Sequence, residues 1–200
     1  MRVLRADEYR RMPWRNGGGE TAEVAIGPAG ATVENFDWRV SMAHIEADGP
    51  FSIFAGTDRT LMILRGNGIK LSIAEGAPLD LTRESQPFAF SGDVSAHATL
   101  PGGAVTDLNV MTKRARRSHT VRRLAVHRRI ELTVDAPLAL LVCAEGELQI
   151  EMPDGGKTSA VELMALDALL LEDEPDTLSI ITHGSALVYL IEFREGIANR

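Results

Sequence analysis

The chain has 200 residues, 44% hydrophobic and 24% charged, with 21 Lys and Arg against 28 Asp and Glu for a net charge of −7. That length makes one moderate domain or two small ones, and the acidic balance argues against a general nucleic-acid binder. A single cysteine rules out an internal disulfide or a thiolate zinc cage, and no apolar run approaches the roughly 18 residues of a membrane span.

The chain opens on MRVLRADEYRR, charged where a signal peptide is apolar, so a cytoplasmic location is expected. Pro13-Trp14-Arg15-Asn16-Gly17-Gly18-Gly19-Glu20-Thr21 follows. Three successive glycines cost conformational entropy and suit a tight turn or a close approach of backbone. Such a loop either presents backbone N–H groups to an anion or merely leads into the first strand, with Trp14 as a core plug. It is neither a Walker loop nor a dinucleotide fingerprint.

Short β-rich runs punctuated by glycine come next and predict a sandwich or barrel. They are Leu61–Leu64, Ile69–Ile73, Ala104–Met111, Leu138–Val142, Leu148–Met152, Leu178–Thr182 and Ala186–Phe193, with a further strand around Trp38–His44. Hairpin turns are expected at Arg65–Gly68, Ala144–Glu147 and His183–Ser185. Between Lys113 and Arg129 lie eight basic residues and no acid. This run reads as a solvated connector or as a dock for an anionic partner, with no aromatic interleaved for base stacking.

Sliding the chain by about 79 positions lays Leu61, Ile63, Ile69 and Leu71 on Leu140, Val142, Leu148 and Ile150. A two-residue adjustment later lays Leu108 and Val110 on Tyr189 and Ile191. The repeat implies two stacked β-barrels. The copies differ at Asp107 and Asn109, which share one strand face and fall on apolar Val188 and Leu190, and at Arg59, which falls on Leu138. These three either lie on an outer, wet face or sit inside a barrel, where they need partners or a ligand.

No His pair has metal-ligand spacing among His44, His97, His119, His127 and His183, and no Gly-x-Ser-x-Gly elbow is present. Neither a metal nor another cofactor is expected. Cys143 ends an apolar run and reads as an inert buried thiol. His44, in a strand and on the opposite face from Ser41, is structural or, by residue type, the best general base.

The glycine-rich segment, Trp38–Ala43, Gly49–Phe54, Gly56–Arg59 with Leu61–Gly66, and Asp107–Met111 together resemble the HutD/Ves family of bacterial cupins associated with histidine utilisation. The likeness covers about residues 12–112 well, and the second half mainly by strand pattern. It implies an all-β bicupin, two stacked jelly-roll barrels in one chain, with no established enzymatic activity. The expected division is an N-terminal barrel over residues 1–112, a basic connector over 113–129 and a C-terminal barrel over 130–200, with strands open to exchange between barrels.

The resemblance also implies a non-catalytic ligand binder that regulates histidine utilisation. Its ligand would be a small carboxylate of the formylglutamate, urocanate or formate class, with no nucleic-acid or membrane partner and a homodimer as an open option. In that reading Arg59 grips a carboxylate and Asn109 meets a formamide-like group. Asp107 orients Arg59 or accepts from the ligand. Asn16, Gly17 and Gly18 close the mouth, Ser41 and Ser52 add hydroxyls, and Phe51, Phe54 and Trp14 form the apolar wall. The alternatives are a metal-independent isomerase or deformylase using His44 or Asp107 as base, and an interaction module docking through the basic run.

Overall fold

The computed structural model describes residues 1–154, 157–173 and 177–196, and among these every regular element is a β-strand. The all-β class is therefore as expected. None of the described residues forms a helix long and apolar enough to cross a membrane. The contacts divide the chain into two compact units.

One unit takes Arg10–Ser118 together with Glu195 and Gly196. It contains β2 (Arg10–Pro13), β3 (Gly19–Gly27), β4 (Trp38–Ile45), β5 (Gly49–Phe51), β6 (Thr57–Arg65), β7 (Ile69–Ile73), β8 (Leu79–Leu81), β9 (Phe88–Ser91), β10 (Ala96–Thr99) and β11 (Val105–Lys113). They form a six-stranded sheet, β2-β3-β4-β11-β6-β9, and a four-stranded sheet, β5-β10-β7-β8. Period-2 alternation turns Leu61 and Ile63 from one sheet, and Ile69 and Leu71 from the other, into a shared core. Each is at most 1% exposed, and burying such a side chain stabilises the fold by about 1.5–3 kcal/mol. The turn expected at Arg65–Gly68 is present, with Gly66 and Gly68 at φ +89° and +93°, but it does not close a hairpin: it carries the chain from the six-stranded to the four-stranded sheet.

The other unit takes Met1–Tyr9 and His119–Arg194. It contains β1 (Arg2–Leu4), β12 (Arg117–Thr133), β13 (Leu138–Glu145), β14 (Leu148–Asp154), β15 (Lys157–Leu163), β16 (Ala168–Glu172) and β17 (Thr177–Glu195). The order is β1-β16-β13-β17-β14-β15, with β12 also paired to β17. The turn expected at Ala144–Glu147 is present but likewise closes no hairpin: it joins β13 to β14, which pair with β17 rather than with each other. Its interior is apolar: Ala139, Leu141, Cys143, Ile150, Val188 and Leu190 all belong to one buried cluster. Asp167 ties down the N-terminal segment, accepting from Arg5 Nη1 at 2.7 Å and Ala6 N at 2.9 Å.

This division differs from the one drawn on the sequence. Residues 1–9 pack with the second half, and most of the basic run is strand β12 rather than a connector. Four of its eight charges have acidic partners: Arg114 pairs with Asp58 and Asp93, Arg116 with Asp37, Arg122 with Glu192, and Arg129 with Glu131 and Glu151. His183–Ser185 is not a hairpin turn. It lies inside β17, which pairs with β14 over Ser179–Ile181 and with β13 over Leu187–Phe193.

The duplication appears as a repeated pairing pattern. β6 pairs with β9 and β11 just as β13 pairs with β16 and β17, and β7 pairs with β8 and β10 just as β14 pairs with β15 and β17. A bulge recurs at the same place, between Thr106 and Asp107 opposite β6 and between Cys143 and Glu145 opposite β17. Aligned on it, Asp107 and Asn109 match Val188 and Leu190 as read from the sequence. Ile63 matches Cys143, however, so Arg59 matches Ala139 rather than Leu138. A one-residue slip reverses every side chain on a strand; the counterpart is still apolar.

Candidate functional site

The site lies on the inner face of the six-stranded sheet. Alternation turns Arg39, Ser41 and Ala43 of β4 inward, with Met111, Asn109 and Asp107 of β11 opposite them, and Arg59, Leu61 and Ile63 of β6 beyond. A cavity of about 400 Å³ opens over these rows, within the usual range for a small-molecule pocket.

The β2–β3 turn forms one wall. Trp14 N donates to Gly19 O at 2.9 Å and Gly17 N to Trp14 O at 3.0 Å, closing the hairpin. At Gly19, φ is +156° and a Cβ would stand 2.1 Å from the His44 carbonyl oxygen, so β3 can begin there only on a glycine. The Trp14 indole donates to Thr21 Oγ1 at 2.8 Å, which fixes its ring at the cavity.

Arg59 is the centre of the site and is 4% exposed. Its Nε and Nη2 both donate to Asn109 Oδ1, at 3.3 and 2.9 Å, and its Nη1 donates to Ser52 O at 3.1 Å. Of the five N–H groups on a guanidinium, these contacts leave one on each Nη. Phe51 and Phe90 each lie 5.1 Å from the guanidinium carbon and Phe54 lies 5.8 Å away. Ring faces at that distance stabilise a cation removed from water. Burial, with Arg39 adding to it, pulls the Arg59 pKa down to about 10 against the field of Asp107, and the group stays charged at neutral pH.

Asp107 is fully buried beneath the cavity and does not line it. Its Oδ1 accepts from Ala43 N at 3.3 Å, and its Oδ2 accepts no hydrogen bond among the described residues. Burial pushes its pKa up to about 7, while Arg59, the Ala43 amide and the Asn109 side chain pull the other way.

The structure thus gathers Asn16, Ser41, Phe51, Ser52, Arg59 and Asn109 at one cavity. Gly17 and Gly18 do not line it, because the Gly17 and Gly18 N–H groups donate inside the turn, to Trp14 O and Asn16 Oδ1. Ser52 serves Arg59 through its carbonyl. His44 faces outward with its side chain 45% exposed, 3.4 Å from Glu46 and from Thr106 Oγ1, which removes it as a base for this cavity. Cys143 is buried in the other unit, and burial pushes its thiol up to about 12. Among the described residues no three His, Cys, Asp or Glu side chains converge as a metal set would need.

Arg39 is the residue that sequence reasoning missed. It lines the cavity, is 5% exposed, and donates from Nε to Glu23 Oε2 at 2.8 Å. The signal was its alternation with Ser41 in the predicted strand. With Arg15 at the rim, the charged residues that line the cavity among the described ones are three arginines, in a chain of net charge −7.

The HutD family model matches residues 6–188. An uncharacterised 21.2 kDa protein of the hutC 3′ region of Pseudomonas putida is 34% identical over 92% of this chain and 93% of its own. Protein Ves of Citrobacter koseri is 40% identical over 58% of this chain and 61% of its own. Among solved structures, HutD from Pseudomonas fluorescens SBW25 (formate condition) superposes with a TM-score of 0.79 at 30% identity, over 97% of this chain and 98% of that one. A conserved protein of unknown function from Pseudomonas aeruginosa PAO1 reaches 0.85 at 35% identity, over 96% and 97%. Oxalate decarboxylase from Lactobacillus farciminis reaches 0.69 at 5% identity over 96% of this chain and 88% of that one, a likeness of cupin fold alone.

Proposed function

The chain belongs to the HutD family, and from that premise we propose that the unit built on Arg10–Ser118 is a non-catalytic cytoplasmic receptor for a small carboxylate of histidine breakdown. The ligand class is that of formylglutamate, urocanate or formate, and occupancy modulates histidine utilisation. The observation that carries this reading is the cavity's charge: among the described residues its charged lining is arginine, with no acid. A carboxylate there meets the two remaining Arg59 N–H groups and Arg39 in a site shielded by aromatic rings, where charge-assisted hydrogen bonds are strong. The HutD relative solved in a formate condition agrees with that chemistry. Of the two candidate bases for an enzyme, His44 faces outward and Asp107 is buried without lining the cavity.

The test is calorimetric titration with formate, formylglutamate, urocanate and glutamate, each mixture then analysed for turnover. Saturable binding with the ligand recovered intact is expected. Arg59→Gln should weaken it by roughly 30-fold or more, as expected for lost charged hydrogen bonds. Turnover of any of the four would overturn the non-catalytic reading, and the absence of binding by all four would overturn the receptor.

A further inference from the structure

A fully buried acid is unusual unless something compensates its charge. Asp107 has one partner for Oδ1 and none for Oδ2 among the described residues. The charged groups around the same interior are Arg59 on β6, Arg39 on β4, Glu23 on β3 and, at the exposed rim, Arg15 in the β2–β3 turn. Arg39 is already matched by Glu23. The strands β7, β8, β9 and β10 contribute apolar side chains there, including Leu71, Leu81, Phe88 and Ala98. Their polar residues Lys70, Asp80 and His97 are exposed. Asp107 therefore answers chiefly to Arg59, with Asn109 two residues along the same strand face and hydrogen-bonded to that guanidinium.

Bringing an anion onto Arg59 changes this balance. The cation's field is then shared with the bound carboxylate, and an ionised Asp107 beneath the floor becomes a second negative charge in a dry interior. The favourable response is protonation of Asp107, converting a buried carboxylate into a neutral carboxyl. We propose that Asp107 takes up one proton from solvent when an anion occupies the cavity, so that anion capture and protonation of this barrel are a single coupled event. The inference rests on the receptor reading and adds to it a regulatory variable, pH. The proton goes to Asp107 while Arg59 stays charged, so no other group changes state. Burial pushes the Asp107 pKa up to about 7, which places the response in the physiological range.

The experiment is titration of the wild-type chain with formate in buffers of different ionisation heat, at about pH 7.5, with affinity followed from about pH 6.5 to about pH 8.5. Formate does not titrate over that range. Wild type should take up a fraction of a proton per formate bound, and its affinity should fall several-fold as pH rises, at most tenfold per unit for one linked proton. Asp107→Asn should remove the uptake and flatten the profile. Formate bound with no proton uptake, or uptake that persists in Asp107→Asn, would overturn the coupling while leaving the receptor standing; no formate binding would overturn the receptor instead. A second readout needs no variant. The ¹³C carboxyl resonance of Asp107 should titrate at a higher pH in formate-saturated wild type than in free protein, and an unmoved midpoint would also overturn the coupling.

Discussion

Arg39 and Arg59 are registered on the same residue: Met111 of β11 stands opposite Arg39 on β4 and opposite Arg59 on β6. Two strand spacings of about 4.8 Å separate their Cα atoms by about 10 Å, on one face, so both side chains serve one small cavity. Their surroundings differ. Arg39 has a carboxylate, Glu23, at 2.8 Å, whereas Arg59 donates to the neutral oxygens of Asn109 and Ser52. The ladder register thus holds one neutralised and one charge-bearing guanidinium side by side.

The Arg39–Glu23 pair, with side chains 6% and 11% exposed, should behave as a buried ion pair. Either Arg39→Gln or Glu23→Gln alone is expected to cost about 3 kcal/mol in urea unfolding, because the remaining partner is left charged in a dry site. The double variant should cost less than the sum of the two. Strict additivity would show that the two charges do not stabilise each other.

Asp107 should make the fold less stable as pH rises. An unfolded Asp releases its proton near pH 4, while the buried one holds it to about 7. Over that window the native state binds the extra proton, so stability declines with pH, by up to about 4 kcal/mol in all. Asp107→Asn should lack this decline and exceed wild type in melting temperature above pH 7. Parallel pH profiles of wild type and variant would contradict this.

Asp167 behaves in the opposite sense. Burial raises its pKa, but the Ala6 amide, Arg5 and the Met164 amide outweigh burial and hold the carboxyl below its usual range. Its stabilisation is therefore present above about pH 4 and is lost as pH falls through the depressed value. Hydrogen exchange should show the β1 amides opening first on acidification, and Asp167→Asn should open them at neutral pH.

The glycines of the β2–β3 turn should separate sharply. Gly17 has φ +69° with open space around it, so Gly17→Ala should cost about 1 kcal/mol, the ordinary left-handed penalty. Gly19→Ala meets the His44 carbonyl and should cost clearly more, with loss of the β3–β4 ladder at that end. Equal melting temperatures for the two variants would refute the close approach.

What could be read from the sequence was what depends on local pattern. Alternation and turn residues gave the strands and the place of the β6–β7 turn, though not that it links two sheets, and the comparison of copies marked Asp107, Asn109 and Arg59 as unusual because their counterparts are apolar. What could not be read depends on contacts far along the chain. Nothing local shows that Arg2–Leu4 pairs with β16, or that Arg114, Arg116, Arg122 and Arg129 meet acids remote in the chain, Asp58, Asp37, Glu192 and Glu151. Arg39 was within reach, since it shares the alternation of Ser41, but a lone arginine in an apolar strand gives no direction until the sheet is assembled. Gly17 and Gly18 misled because a glycine-rich loop looks the same whether its N–H groups face a ligand or fold back on their own turn.

One strand has a mechanical consequence. In the unit built on Arg10–Ser118, the ladder partners of β7 and β6 are two strands, β10 and β11, with residues 100–104 between them to give slack. In the other unit a single run, β17, serves both β14 and β13 with no break among Thr177–Glu195. Tension applied near the C-terminus therefore loads β17 as one taut cable clamped along two ladders. Under a pulling force this unit should give way in one abrupt rupture, whereas its slack-containing counterpart yields in stages.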